Sequence, residues 1–302
     1  MLPLLTPRLT LRVMQPADAP LLAAYRNDPV VAEMQGWAQP YTQQMADAAL
    51  AEQAGWVQPQ PKGWTQLAID HEGAMMGDLA LHHKGDGIAE IGWTLTPAAQ
   101  GQGFATEAAA ALCAALFASG IHRIEAMLHP DNLASARVCE AIGMEYESLT
   151  RLTYPGRNGP EDDAHYAMCR DQWDAWVGRP RHAPTEVQLV PMNDEIVDDF
   201  HGVATHHSQQ RFVRPVLFAL AQMAFPIFRD DGQQFVPEAF GVTADGEPVG
   251  FVQLTNCSFA HDEPYLWRLL IDRRHQRRSL GRSVLDLLTD QLRRQGHTAL
   301  MT

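Results

Sequence analysis

The chain carries one pattern twice, and this constrains its fold more than any other feature. Gln100 and Gln276, Gly120 and Gly296, and Asp18 and Asp194 each stand 176 residues apart. Between these markers the same order of elements is predicted in both halves. A strand comes first (9–14 and 187–190), followed by a helical stretch opening near Pro16 or Met192. A hairpin comes next, 65–71 with 76–82 and 239–244 with 249–255. It turns at Glu72-Gly73 or Asp245-Gly246, pairs that suit a two-residue turn. A further strand (89–95 and 265–271) leads through a polar loop into a helix at 105–118 or 281–295. Each helix is closed by a glycine, a common C-terminal stop. A last strand is expected at 123–128 and from 298 onward. Strands and helices mixed in this order predict an α/β or α+β sandwich.

A chain of 302 residues has room for two such cores. We expect domains at 1–178 and 186–302, joined by a Pro-rich linker at 179–185. Thr302 corresponds to position 126 of the first copy, so the second copy is expected to be incomplete at its C-terminus. Two linked copies can pack as a pseudo-dimer. The net charge of −13 argues against a nucleic-acid partner, whose phosphates need Lys and Arg, and suits a cationic one such as an amine. The sequence has no apolar run long enough to span a bilayer and no basic-then-apolar leader, so a cytoplasmic protein with no membrane partner is expected. The four cysteines form no CxxC pair, and His82-His83 and His206-His207 are neighbours that do not share a face. No metal site is expected.

The chemistry points to the loop before the first long helix, Thr96-Pro-Ala-Ala-Gln-Gly-Gln-Gly-Phe-Ala-Thr106. A strand ends there, glycines follow, and a helix begins. The first amides of a helix lack internal partners and, with the helix dipole, attract anions. Gly101 and Gly103 let the backbone approach a phosphate closely. A dinucleotide fingerprint would need a small residue at Thr106 within a parallel βαβ unit, and a P-loop would need a lysine. Neither pattern is met, which favours a phosphate or pyrophosphate binder of another kind, with a nucleotide-cofactor enzyme using the same loop and an ordinary glycine turn as the alternatives.

Gln100-x-x-Gly103-x-Ala105 resembles the pyrophosphate loop of the GNAT N-acetyltransferase superfamily. Residues 6–176 are similar to its ribosomal-protein alanine acetyltransferase branch. The matching stretches include Thr6-Pro-Arg-Leu-Thr-Leu-Arg12, Glu90-Ile-Gly-Trp93, Gly101-Gln-Gly-Phe-Ala-Thr-Glu-Ala108, His122-Arg-Ile-Glu-Ala126 and Pro130-Asp-Asn-Leu-Ala-Ser-Ala-Arg137. The resemblance implies a mixed-sheet α/β (α+β) acyl-CoA N-acyltransferase fold in two tandem copies. It implies direct transfer of an acetyl group from acetyl-CoA to a primary amine, on a peptide N-terminus or a small molecule. A non-catalytic acyl-CoA sensor or assembly module would share the same loop.

By that resemblance the backbone amides of Gln102, Gly103, Phe104, Ala105 and Thr106 cradle the pyrophosphate, Gln100 and Gly101 belong to the same cofactor-binding loop, and Thr94, Leu95 and Thr96 line the pantetheine arm. Asn132 and Ser135 match positions facing that arm or its sulfur. Glu90 is the candidate base, acting through water, since the amine must lose a proton before attack. Ser135 is the candidate donor to the departing thiolate, with Tyr146 and Tyr166 behind it, although Ser135 also suits a helix cap. Glu107 and Cys139 read as structural. Residues 33–64, with Trp37, Tyr41, Trp56 and Trp64, are expected on the acceptor side or in the core. In the second copy Leu270 and Ile271 would flank CoA, with Gln276, Arg277, Ser279, Gly281 and Arg282 in the loop; Arg278 would add charge. Ser279 replaces Gly103 and Leu266 replaces Glu90, so CoA binding without assured catalysis is expected there.

Overall fold

The computed structural model describes residues 2–156, 159–260 and 262–302, with the side chain of Pro155 also left aside. The chain divides into two compact units, Met1–Val177 and Gly178–Thr302. In the first, the order is β1 (Leu4–Leu5), β2 (Leu9–Val13), α1 (Ala19–Arg26), α2 (Pro29–Ala32), α3 (Gln43–Ala51), β3 (Gly63–His71), β4 (Ala74–Gly85) and β5 (Ile88–Leu95). Then come α4 (Phe104–Ala118), β6 (Arg123–Leu128), α5 (Leu133–Ile142), β7 (Glu145–Gly156), β8 (Gly159–Cys169) and α6 (Arg170–Gly178). The strands form one sheet in the order β1-β2-β3-β4-β5-β6-β8-β7. It is antiparallel except where β5 meets β6.

The hairpin of β3 and β4 is set by its turn. Glu72 and Gly73 both take positive φ, 50° and 82°, the backbone that continues the strand twist. Side chains then alternate. Leu67, Ile69, Leu79, Leu81, Ala89 and Ile91 fall on one face, where Ala108, Leu112, Leu116 and Phe117 of α4 cover them. Burying each large apolar side chain contributes roughly 1.5–3 kcal/mol. The other face takes α1 and α3 through Leu22, Ala23, Tyr25, Ala46 and Leu50. There Tyr25 donates to Asp78 of β4, and Arg26 lies 3.6 Å from the same carboxylate. Helix α4 closes in a Schellman motif: Ile121 N–H reaches Leu116 O and Gly120 N–H reaches Phe117 O, with Gly120 at φ 101°.

The second unit contains β9 (Val187–Pro191), α7 (Val197–Phe200), α8 (Val216–Met223), β10 (Ile227–Phe228), β11 (Gln234–Phe235), β12 (Pro237–Ala244), β13 (Glu247–Thr255), β14 (Tyr265–Ile271) and α9 (Leu280–Arg294). Its main sheet runs β14-β13-β12-β9, and the turn at Asp245-Gly246 has the same paired positive φ, 51° and 86°. Leu280, Val284 and Leu288 of α9 pack on Val242, Val249, Val252 and Leu254. The Schellman closure recurs through Gly296 N–H to Arg293 O and His297 N–H to Leu292 O. The strand expected from 298 onward does not form. Among the described residues of that stretch, Met301 makes an isolated parallel bridge to Tyr265. The linker expected at 179–185 falls wholly inside the second unit, which begins at Gly178.

Candidate active site

Strands β5 and β6 pair over three positions only: Ile88 with Arg123, Ala89 with Ile124 and Glu90 with Glu125. Beyond Glu90 they splay. The wedge so opened is a cavity of about 60 Å³ lined by Ile91, Gly92 and Trp93 on one side and Ala126, Met127 and Leu128 on the other, with Asn132, Ser135 and Tyr154. A larger cavity of about 430 Å³ runs from Trp93, Thr94 and Leu95 past Gln100, Gly101, Gly103, Phe104, Ala105 and Thr106 to Ser135 and Val138. The two share Met34, Gln35, Trp93, Asn132 and Ser135 as walls. A backbone edge freed from a sheet neighbour can pair with an extended ligand.

The loop is built to present amides. Gly101 and Gly103 sit at φ 74° and 80°, the left-handed region that glycine enters most easily. Among the described residues, the N–H groups of residues 101–106 make no hydrogen bond; the first helical bond onto this turn is Glu107 N–H to Gly103 O at 3.0 Å. Six donors at a helix N-terminus facing a cavity suit a pyrophosphate. Gln100 lines the larger cavity, and its side chain also braces the loop. Its amide donates to Leu95 O at 3.4 Å and braces the loop on the strand end. Gln276 makes the equivalent bond to Ile271 O at 3.0 Å, again at an offset of 176.

Sequence reasoning missed the clamp behind this loop. Arg8 donates to Glu107 at 2.6 Å and to the carbonyl of Gln102 at 3.0 Å, and its guanidinium lies 4.7 Å from the Phe104 ring centre. Thr6 adds a 2.6 Å bond to the same carboxylate. Burial pushes the Glu107 carboxyl up, but the bonds from Thr6 and Arg8 outweigh it and hold it below the usual range. Glu107 is thus structural through Arg8 and Thr6 rather than only through the helix dipole.

Asn132 caps α5, its Oδ1 accepting from Ser135 N–H at 3.0 Å. The capping role weighed for Ser135 therefore belongs to Asn132. The Ser135 hydroxyl makes no hydrogen bond among the described residues and borders both cavities. Tyr166 is buried and edge-on to Tyr146 at 5.6 Å, and neither lines a cavity. Tyr154, which the sequence did not single out, does line the wedge and donates to Met34 O at 3.0 Å. Burial, then Asp163 and Glu161, push its phenol up to about 12.

Glu90 stands at the last paired position of the wedge and lines neither cavity. It lies 3.4 Å from Lys84 and 3.9 Å from His82. Asp163 of β8 adds a second carboxylate on this side. It is 5% exposed, lies 3.4 Å from His165 Nε2, and its Oδ1 has no partner among the described residues. Burial raises its pKa; His165 and the Leu128 amide oppose the rise and Glu90 adds to it. Of the aromatic residues in 33–64, Tyr41 is buried, Trp37 stacks under Arg26 and Trp56 packs on the main core, whereas half-exposed Trp64 stacks on His82 at 4.6 Å. Met34 and Gln35 are the members of that segment that line both cavities.

In the second unit, Arg277 and Ser279 take φ 62° and 63°, the left-handed geometry of Gly101 and Gly103. The amides of residues 277–281 are unbonded among the described residues. Arg277 and Arg282 are exposed beside them. Arg278, expected to add charge for a phosphate, is instead buried and spent on His182 O at 2.7 Å and His275 Nδ1 at 2.8 Å. Cys113 and Cys139 are fully buried, which pushes both thiols up and makes them inert. Among the described residues no group of His, Cys, Asp and Glu could hold a metal ion, and no helix is long and apolar enough to cross a membrane.

The profile of the acetyltransferase (GNAT) domain matches residues 8–145, and that of the acetyltransferase (GNAT) family matches residues 192–302. The chain is 33% identical over 110 residues to the uncharacterized N-acetyltransferase YnaD of Bacillus subtilis, across 36% of this chain and 65% of that protein, just under two thirds of its length. It is 34% identical over 153 residues to the uncharacterized N-acetyltransferase p20 of Bacillus licheniformis, across 49% of this chain and 85% of that one. A probable GNAT-family acetyltransferase from Chromobacterium violaceum shares the fold, with a TM-score of 0.50 at 20% identity over 57% of this chain and 88% of that one. With its splayed β5–β6 wedge and its unbonded loop amides, repeated at the loop of the second unit, the chain belongs to the GNAT acetyltransferase family.

Proposed function

We propose that the first unit transfers an acetyl group from acetyl-CoA to a primary amine, with a peptide or protein N-terminus favoured over a small amine. The observation that carries the reading is the run of unbonded amides at residues 101–106, which opens into a cavity continuing to the wedge. Those amides would hold the pyrophosphate, and the edge at Thr94, Leu95 and Thr96 would pair with the pantetheine arm. Acetyl-CoA supplies the activated acyl group. The chain supplies orientation and proton handling. Glu90, at the vertex of the wedge, takes the ammonium proton through water. The Ser135 hydroxyl donates to the sulfur as the thiolate departs. Backbone N–H groups near Leu95 stabilise the developing oxyanion. Lys84 offsets the charge of Glu90, so Asp163 is the carboxylate left to draw a cationic amine to the acceptor side. The sequence likeness to the ribosomal-protein alanine branch favours a peptide N-terminus. A cytoplasmic setting fits a CoA-dependent reaction.

Thiol release from acetyl-CoA, followed across a panel of N-terminal peptides and small amines, tests the reading. Turnover with peptides above that with small amines is expected. Binding of CoA with no turnover on any amine would make the unit an acyl-CoA sensor instead.

A further inference from the structure

One hydrogen bond joins two walls of the wedge that are far apart in the chain. Tyr154 lies near the end of β7, and its hydroxyl donates to Met34 O at 3.0 Å, across 120 residues. Met34 belongs to the irregular segment between α2 and α3. The far part of that segment is fastened to the end of α1. There Trp37 and Gln39 donate to Arg26 O at 3.1 Å and 2.9 Å, and Tyr41 N–H reaches Asn27 Oδ1 at 2.9 Å. Residues 34–36 thus form a strap between α2 and these anchors, and the Tyr154 hydroxyl ties the strap to β7.

The place of the strap gives this bond its consequence. Met34 and Gln35 line both the wedge and the larger cavity, and Tyr154 lines the wedge. At about 60 Å³ the wedge has room for only a few water-sized groups. An acceptor can place its nitrogen and the adjoining carbon there, and any bulk on that carbon meets the strap. The bond persists over the working pH range, because burial, then Asp163 and Glu161, push the phenol up to about 12 and keep its proton in place.

We infer, given the proposed transfer to a primary amine, that Tyr154 is a positioning residue that sets acceptor specificity. Its hydroxyl clasps the strap against the wedge, and the clasped strap disfavours amines with bulk on the carbon beside the nitrogen. The ring of Tyr154 serves as wall and the hydroxyl as latch. Tyr154→Phe keeps the wall and removes the latch, so the two roles come apart in one substitution.

Hydrogen exchange and isothermal titration of the full chain, unaltered and as Tyr154→Phe, test this. The amides of Gln35 and Gly36 are expected to exchange about fivefold faster in the variant, since one neutral hydrogen bond is lost, while those of β5 and β6 stay unchanged. With CoA bound, the unaltered chain is expected to bind a tetrapeptide opening with alanine more tightly than one opening with leucine. Tyr154→Phe is expected to narrow that preference about fivefold and leave CoA affinity unchanged. Unchanged exchange overturns the clasp. Faster exchange with an unmoved peptide ratio, no preference in the unaltered chain, or no binding of either peptide overturns its role in specificity. A narrowed ratio in a chain that acetylates no amine would sink the proposed reaction and leave the clasp standing.

Discussion

Gly103 and Ser279, 176 residues apart, hold the same left-handed backbone at φ 80° and 63°, each directly before the first residue of a long helix. A side chain in that region costs about 1–2 kcal/mol. Ser279→Gly should therefore stabilise the second unit by about 1 kcal/mol. Gly103→Ser should destabilise the first by a similar amount. The strain, not crowding, sets that cost, because a Cβ at Gly103 would meet only the Arg8 tip at an ordinary 3.5 Å. Urea unfolding of each variant checks both signs. A destabilised Ser279→Gly would mean that the serine side chain makes a contact the strain argument omits.

Arg8 ties the N-terminal segment to the pyrophosphate loop through Glu107 and Gln102 O, so its loss should loosen the amide cradle. Arg8→Ala and Glu107→Gln should each weaken CoA binding, on the order of fivefold, with little effect on the rate at saturation. The double variant should fall by less than the sum of the two losses, since both remove the Arg8–Glu107 pair while Arg8 also bonds Gln102 O and Glu107 also bonds Thr6. Isothermal titration of CoA with the four proteins measures the coupling. Additive losses would separate the two residues.

The repeat, the turns at Gly73 and Gly246, and both helix stops were legible because each rests on local backbone chemistry that a dipeptide or a lone glycine announces. The loop amides were legible for the same reason. The clamp was not, because Arg8 and Glu107 are 99 residues apart and nothing in their spacing says that β2 begins beside the start of α4. Asp163 was invisible for a related reason: its burial follows from where β8 lies beside β6. Gln100 stands out by its position in the motif, but its bond to Leu95 O is a property of the folded turn that spacing does not announce.

Glu90→Gln separates proton handling from binding. If the carboxylate relays the amine proton, kcat should fall by about 100-fold or more while CoA affinity stays put. Lys84, 3.4 Å away, should influence the same step through charge, so Lys84→Met is expected to alter the pH profile of kcat/KM rather than the CoA dissociation constant. An unchanged rate in Glu90→Gln would leave Asp163 as the carboxylate to examine.

Asp163 carries opposite consequences for stability and for activity. Its folded-state pKa is raised by burial, so between the ordinary aspartate value of 3.8 and that raised value the folded protein binds more protons than the unfolded chain. Stability contributed by the protonated group is complete below the unfolded value and is lost as pH rises through the folded one. At neutral pH the carboxylate is thus a cost, with an oxygen that has no partner among the described residues. Asp163→Asn should raise the melting temperature at pH 7 and flatten its decline between pH 4 and 7, while raising KM for a cationic acceptor with CoA affinity unchanged. Thermal unfolding across pH, alongside amine titrations at saturating acetyl-CoA, reads both halves. A destabilised Asp163→Asn would show that the Leu128 amide and His165 outweigh the burial, and an unmoved KM would remove Asp163 from the acceptor side.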